Sequence, residues 1–239
     1  MLKLRKIPPF LYLAYFLVLI GMLTLAIVGN RAVTVYYENS IVPGRRTIVV
    51  DPGHGGVDGG AVSCTGISES KINLAIALRF KDLINFMGIK TVMIRETDKS
   101  IFTSGTTIGE KKVSDLKNRV KIANSFPGSV LVSIHQNYFS DSQYFGAQVF
   151  YGKNQNSKIL AELMQEELVS TLNQSSNRKC KRSTGVYLLE NVKTTAILVE
   201  CGFLSNALEE RNLLDQEYQK KLSCIMASVC SRYLYDNPS

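Results

Sequence analysis

Histidine is scarce in this chain. Only two occur among 239 residues, His54 and His135. Cysteine is nearly as rare and is odd in number, with Cys64, Cys180, Cys201, Cys224 and Cys230. At least one thiol therefore stays unpaired within a monomer, and the absence of any C-x-x-C excludes a zinc knuckle. Cys224 and Cys230 lie six apart on an expected helix and point to different sides. No Cys₂His₂ spacing and no interleaving of aromatic with basic residues occurs, so a nucleic-acid reader is excluded. No internal repeat is present. Charge is missing altogether from Phe10 to Gly29, which follows the cationic start "MLKLRK".

That uncharged run is long enough for a helix to cross about 30 Å of hydrocarbon. The cations before it should stay cytoplasmic, which puts everything after Arg31 outside. A cleaved signal peptide is the alternative, although no small-x-small site stands near Gly29 and no cysteine sits where a lipid anchor needs one. The expected organisation is a membrane anchor or signal sequence over residues 1–30, a linker over 31–44 and one exported domain over 45–239. A hydrophobic content of 45% and a mean hydropathy of +0.03 suit a globular core. The net charge of +8 favours anionic partners such as a membrane surface or a cell-wall polymer.

From Arg46 onward, apolar runs alternate with amphipathic stretches. "RTIVVD", "IKTVMIRE", "GSVLVSIH", "GAQVFYG", "GVYLL" and "TAILVE" read as strands. "SESKINLAIALRFKDLINFMG" reads as a helix capped by Ser68 or Ser70 and stopped by Gly88. Its apolar face is expected at Leu74, Ala77, Leu78, Ile84 and Met87. "SGTTIGEKK" reads as a loop and "VSDLKNRVKIANSF" as a second helix. "NSKILAELMQEELVSTLN" is a third, with closing helices after Asn206. The basic cluster "RKCKR" reads as a solvated loop. The alternation predicts an α/β fold, a mostly parallel twisted sheet of about six strands with helices on both faces.

Ligands of such sheets bind outside the carboxyl ends of the strands. His54 follows the first strand, His135 ends the third and Glu200 ends "TAILVE". Glu69 opens the helix after the first strand. Any one of these residues has an ordinary structural explanation. Together they bring all the histidine in the chain and two carboxylates to one sheet edge. Gly53, Gly55 and Gly56 keep the space around His54 open. Two imidazoles and a carboxylate favour zinc over calcium or magnesium, and a further carboxylate can serve as base. Spacing does not say which glutamate takes which part.

The pieces "VDPGHGGVDGGA", "ESKINLAIALRFKDLI", "GIKTVMIRETD", "LKNRVKIANS", "VLVSIHQN" and "AILVECGFLSN", in that order, resemble the amidase-3 family of zinc-dependent N-acetylmuramoyl-L-alanine amidases. The resemblance runs from about Arg46 to about Tyr235. An anchor with a bare catalytic domain is most like the sporulation and germination branch acting on spore cortex. The resemblance implies that His54, Glu69 and His135 bind Zn²⁺ and that Glu200 is the catalytic carboxylate. The substrate would be peptidoglycan, cut between muramic acid and L-alanine, with a separate deacetylase acting downstream; apart from the resemblance, an enzyme whose zinc site is weak until a protein partner binds is a further alternative. Three positions depart from the pattern: Tyr138 replaces a small residue, Cys201 a glycine and Thr195 a proline. Asp51 is a candidate to orient His54, and Asn137 to line the site. Arg119 and Arg95 would either hold a substrate carboxylate or pair with Asp98 or Asp115. A Cys201–His135 protease pair would leave His54 and Glu69 unexplained. The rivals are another zinc amide hydrolase, a peptidase or deacetylase, and a non-catalytic wall-binding scaffold.

Overall fold

The computed structural model describes Phe10, residues 17–25 and residues 47–237. The chain divides into two compact units, Met1–Val42 and Pro43–Ser239. Residues 17–25 of the first unit are helical. Half of the expected membrane-crossing run, Phe10 to Gly29, and all of the linker over 31–44 lie outside the described residues. Among the described residues no helix is long and apolar enough to cross a membrane.

The second unit runs β1 (Thr47–Pro52), α1 (Glu69–Phe86), β2 (Lys90–Met93), α2 (Ile108–Asn124), β3 (Val130–Asn137) and β4 (Gln148–Tyr151). It continues with α3 (Gln155–Leu172), β5 (Lys181–Arg182), α4 (Tyr187–Asn191), β6 (Thr195–Phe203), α5 (Ala207–Leu214) and α6 (Gln216–Asp236). The six strands form one sheet in the order β2-β1-β3-β6-β4-β5. Every pairing is parallel except β4 with β6. The expected mostly parallel, six-stranded α/β sheet is therefore present.

Side chains of a strand alternate between faces, and the cores follow that period. Ile48, Val50, Val132, Ile134, Ile197 and Val199 meet Ile76 and Phe80 of α1, Met164 of α3 and Met226 of α6 in the larger core. Val49, Leu131 and Leu198 point the other way, against Ala123 of α2 and Leu188 and Leu189 of α4. Helices thus cover both faces. Phe80 is fully buried, and truncating such a ring to alanine costs about 3–5 kcal/mol.

Several local expectations are corrected. "GVYLL" is not a strand; it enters the short helix α4. Leu188 and Leu189 are buried in the same core, whereas neighbours on a strand would point to opposite faces. The remaining strand is instead β5, inside the basic "RKCKR" cluster, where Lys181 and Arg182 pair with Phe150 and Tyr151. The "SGTTIGEKK" loop is partly helical, because α2 begins at Ile108. Thr107 and Glu110 cap it reciprocally, each side chain bonding the other's backbone N–H. On α1 the buried stripe is Ile72, Ile76, Ala77, Phe80 and Ile84, while Met87 is exposed. The face is turned because Glu69 and Asn73 share the stripe and point to the sheet edge. Ser68 is the N-cap of α1 but makes no side-chain cap bond.

Candidate metal centre and catalytic edge

Parallel register builds the site. Asp51 of β1 lies beside Ser133 of β3, and His135 lies beside Glu200 of β6. By the strand period all four share the face of the smaller core, near the carboxyl ends of β1, β3 and β6. His54 follows β1 by two residues, with a left-handed φ of 58°, a conformation rarely adopted by a residue with a side chain. Gly53 is obligatory there on steric grounds. A Cβ on it would lie 2.2 Å from two ring atoms of His135. Gly60 combines a φ of 70° with a Cβ position 2.5 Å from Glu69 Oε2.

Glu69 joins the two imidazoles. His54 Nε2 is 3.3 Å from its Oε2, and His135 Nδ1 is 3.0 Å from its Oε1. The rings meet edge-on, 4.9 Å between centroids. Ala61 N donates to Oε2, while Gln136 N and Asn73 Nδ2 donate to Oε1. One donor atom from each of His54, Glu69 and His135 lies within 4.8 Å of the others, close enough to share an ion. Burial would push the Glu69 carboxyl up, but the bonds from His135 and His54 hold it well below the usual carboxylate range. His54 Nδ1 sits 3.0 Å from Asp58 Oδ2, which Lys112 Nζ also approaches at 3.2 Å. Burial lowers the affinity of His54 for a proton; Asp58 and Glu69 outweigh it and raise the pKa to about 9. As it stands Nε2–H donates to Glu69 while Nδ1–H is shared with Asp58; loss of the Nε2 proton, with Nδ1–H kept on Asp58, would turn a lone pair toward the centre.

Glu200 differs from Glu69 in one respect. Its Oε2 is enclosed and has no hydrogen-bond partner. Burial, reinforced by the Glu69 charge and opposed by the two histidines, pushes its carboxyl up to about 7. It faces a cavity of about 210 Å³ shared with His54, His135, Lys112, Leu116 and Leu188. A larger cleft, about 670 Å³, opens at the opposite edge beside Val130 and Thr195, and neither histidine lines it.

The secondary candidates fall differently from expectation. Asp51 does not orient His54. Its carboxylate accepts from Ser133 Oγ at 2.6 Å and from Arg119 at 2.5 Å, and Asp58 is the residue that holds His54. Arg119 is buried and committed: it also donates to Asp115 Oδ2 at 2.5 Å, Pro52 O at 3.0 Å and His54 O at 2.7 Å. Arg95 pairs with neither Asp98 nor Asp115; it donates to the carbonyls of Pro52, Gly53, Ser70 and Thr97. Asn137 is half-buried beyond His135, and its carbonyl accepts from Leu204 N at 2.8 Å. Tyr138 is 55% exposed. Cys201 is fully buried in the larger core, on the opposite face from His135 and Glu200, and burial pushes its thiol far up. A Cys201–His135 pair is thereby ruled out. Asp58, Asn73, Gln136 and Ser133 were not among the expected site residues.

The edge of this six-stranded α/β sheet thus sets a possible metal site, His54, Glu69 and His135, beside a second buried carboxylate, Glu200, an arrangement of the hydrolase class. The N-acetylmuramoyl-L-alanine amidase family, Amidase_3, matches residues 48–229, and the chain belongs to that family of enzymes. The germination-specific N-acetylmuramoyl-L-alanine amidase of Bacillus subtilis is 37% identical over 190 residues, 79% of each chain. The LytC amidase of the same organism is 31% identical over 84% of this chain, but that span is 38% of its own length. Among solved structures, the CwlD amidase of Clostridioides difficile, in complex with the GerS lipoprotein, aligns with a TM-score of 0.77 and 39% identity. The alignment covers 80% of this chain and 100% of that one.

Proposed function

We propose that this enzyme is a zinc-dependent hydrolase of the amide between N-acetylmuramic acid and L-alanine in peptidoglycan, with spore cortex as its substrate. The observation that carries the reading is the division of labour between two glutamates. Glu69 is saturated with donors and low in pKa, as a ligand should be. Glu200 is unpartnered and poised near neutrality, as a proton carrier should be. The donor set of two imidazoles and one carboxylate fits zinc, with His54, Glu69 and His135 as the ligands. Zinc held there supplies Lewis acidity toward the amide carbonyl and activation of water.

The chain's own residues do the rest. A carboxylate oxygen of Glu200 accepts a proton from the attacking water and returns it to the nitrogen of the departing L-alanine. The walls contributed by Leu116, Leu188 and Leu198 limit water around that oxygen. Asp58, steadied by Lys112, keeps His54 Nε2 directed at the centre. Arg119 and Arg95 fix the backbone from Pro52 to His54 and do not touch substrate. Residues 45–239 form the catalytic domain. Residues 1–30 act as membrane anchor or signal, and residues 31–44 as linker, so the site works outside the cytoplasmic membrane. The germination-specific relative supports the cortex assignment, and the lipoprotein-bound relative supports an activating protein partner. A separate deacetylase would then act on the exposed muramic acid.

Digestion of purified peptidoglycan, with zinc content measured on the same sample, tests the reading. Free stem peptide beginning with L-alanine and one zinc per chain are expected. Release of acetate or internal peptide fragments would sink it.

A further inference from the structure

The segment between β3 and β4 leaves the sheet directly beyond His135 and returns at Gln148, which is the cross-strand neighbour of Glu200. It therefore bridges the carboxyl ends of β3 and β6 at the edge where the scissile bond must lie. It is firmly tied down. Phe139 N donates to Ser205 Oγ at 3.2 Å, Gly146 N to Glu209 Oε2 at 2.9 Å, and Asn206 Nδ2 to Ser142 O at 2.9 Å. Arg178 Nε donates to Phe145 O at 2.8 Å.

Despite this anchoring its aromatic side chains stand in solvent. Tyr138, Phe139, Tyr144 and Phe145 are 55%, 50%, 42% and 40% exposed. Four large rings so exposed within eight residues form a patch of the kind that marks a recognition surface. Two of them, Phe139 and Tyr144, continue into the buried ring of Phe203, and these three form a row. Phe139 meets Tyr144 edge-on at 5.0 Å, Tyr144 stacks with Phe203 at 6.3 Å, and the Arg178 guanidinium lies 4.8 Å over Phe203. Phe203 is the register partner of Asn137, two residues past His135. The row thus begins at the same carboxyl edge of the sheet as His135 and Glu200. Tyr144, Phe145, Arg178 and Lys179 then line a cleft of about 470 Å³.

We infer that this aromatic row and its cationic flank bind the sugar chain of the polymer, as a subsite separate from the site of bond cleavage. The inference rests on the peptidoglycan reading above. A polymer cut at His135 and Glu200 must run on across the adjoining surface. Its pyranose rings offer apolar C–H faces to the rings, and its stem-peptide carboxylates offer negative charge to Arg178 and Lys179. A firmly held surface loses little conformational freedom when the chain settles on it.

The test compares the full-length chain with F139A/Y144A and with the milder K179E. Each is titrated with glycan strands stripped of stem peptides, and each is assayed on polymeric peptidoglycan and on a single-sugar muramoyl peptide. F139A/Y144A should bind stripped glycan about tenfold more weakly, from the lost ring contacts. It should raise KM on the polymer with kcat unchanged and act normally on the single-sugar substrate. K179E should weaken polymer use with little effect on stripped glycan. Equal losses on both substrates, or glycan binding unaffected by F139A/Y144A, would overturn the inference. So would a wild type that binds no glycan but forms a dimer that F139A/Y144A dissolves, since the row would then dock protein. If glycan binding depends on the row yet neither substrate is cleaved, the subsite stands and the amidase reading fails.

Discussion

Replacing Arg119 by methionine is the sharpest probe of how this site is held together. The Arg119 and Asp51 side chains are 3% and 1% exposed and meet at 2.5 Å. Burial alone would raise the Asp51 carboxyl, but Arg119, Ser133 and His135 hold it below its usual value of 3.8. R119M therefore leaves a buried carboxylate with only Ser133 as a hydrogen-bond partner. It also strips donors from Pro52 O and His54 O. Removing one partner of a buried pair costs about 3–5 kcal/mol. For a domain of this size that is a fall in Tm of roughly 6–20 °C. Arginine's fork is needed to reach two carboxylates and two carbonyls at once, so R119K should recover only part of the loss. Urea unfolding at several pH values is the assay. Asp51 contributes stability above its unfolded pKa and loses it as pH falls through the lower native value. The gap between wild type and R119M should therefore narrow below about pH 4. A loss under about 1 kcal/mol, a gap independent of pH, or strict additivity of R119M with D51N would refute the reasoning.

Other consequences can be checked as directly. G53A puts a methyl group into the His135 ring, and should abolish zinc retention while far-ultraviolet circular dichroism stays unchanged. D58N frees His54 from its holder, and zinc competition should show affinity down by about 10–100-fold. E200Q should remove cleavage yet keep zinc. In the zinc-free protein Glu200 has a raised pKa, so the native state holds its proton more tightly and loses stability as pH rises through about 7. E200Q should then be more stable than wild type at pH 8 by on the order of 2–3 kcal/mol, with the difference fading toward pH 4. A constant difference across that range would count against the enclosed Glu200.

The strand-end residues were legible because sheet periodicity and parallel crossover place them without knowledge of side-chain packing. His54, His135 and Glu200 each follow an apolar run, and those runs are strands. The network around them was harder to see, although traces exist. Asn73 is one helical turn after Glu69, on the same stripe, and displaced the expected apolar face. Gln136 occupies a position whose alternation called for an apolar residue facing the larger core. Such a buried polar side chain signals a partner, here Asn73 at 3.1 Å. Asp58 lay hidden in a glycine-rich loop whose path depends on five left-handed residues: His54, Gly55, Gly56, Gly60 and Gly66. "GVYLL" misled because five apolar-rich residues are too few to separate a period of 2 from one of 3.6. Thr107 and Glu110 carried the capping signature, but the glycines around them suggested a loop.

The single antiparallel pairing, β4 with β6, has an effect beyond the sheet. Because β4 runs against β6, the chain that leaves β3 after His135 re-enters at the same edge, beside Glu200. A connection between parallel strands would have to travel to the far edge. Here the two attachment points stay fixed by register whatever lies between them. Residues can be added, removed or exchanged in that span while the distance from His135 to Glu200 is held by backbone pairing alone. The fold thereby separates the part that does chemistry from the part that can be retailored, and swapping this one segment between homologous enzymes is the natural route to changing what they grip.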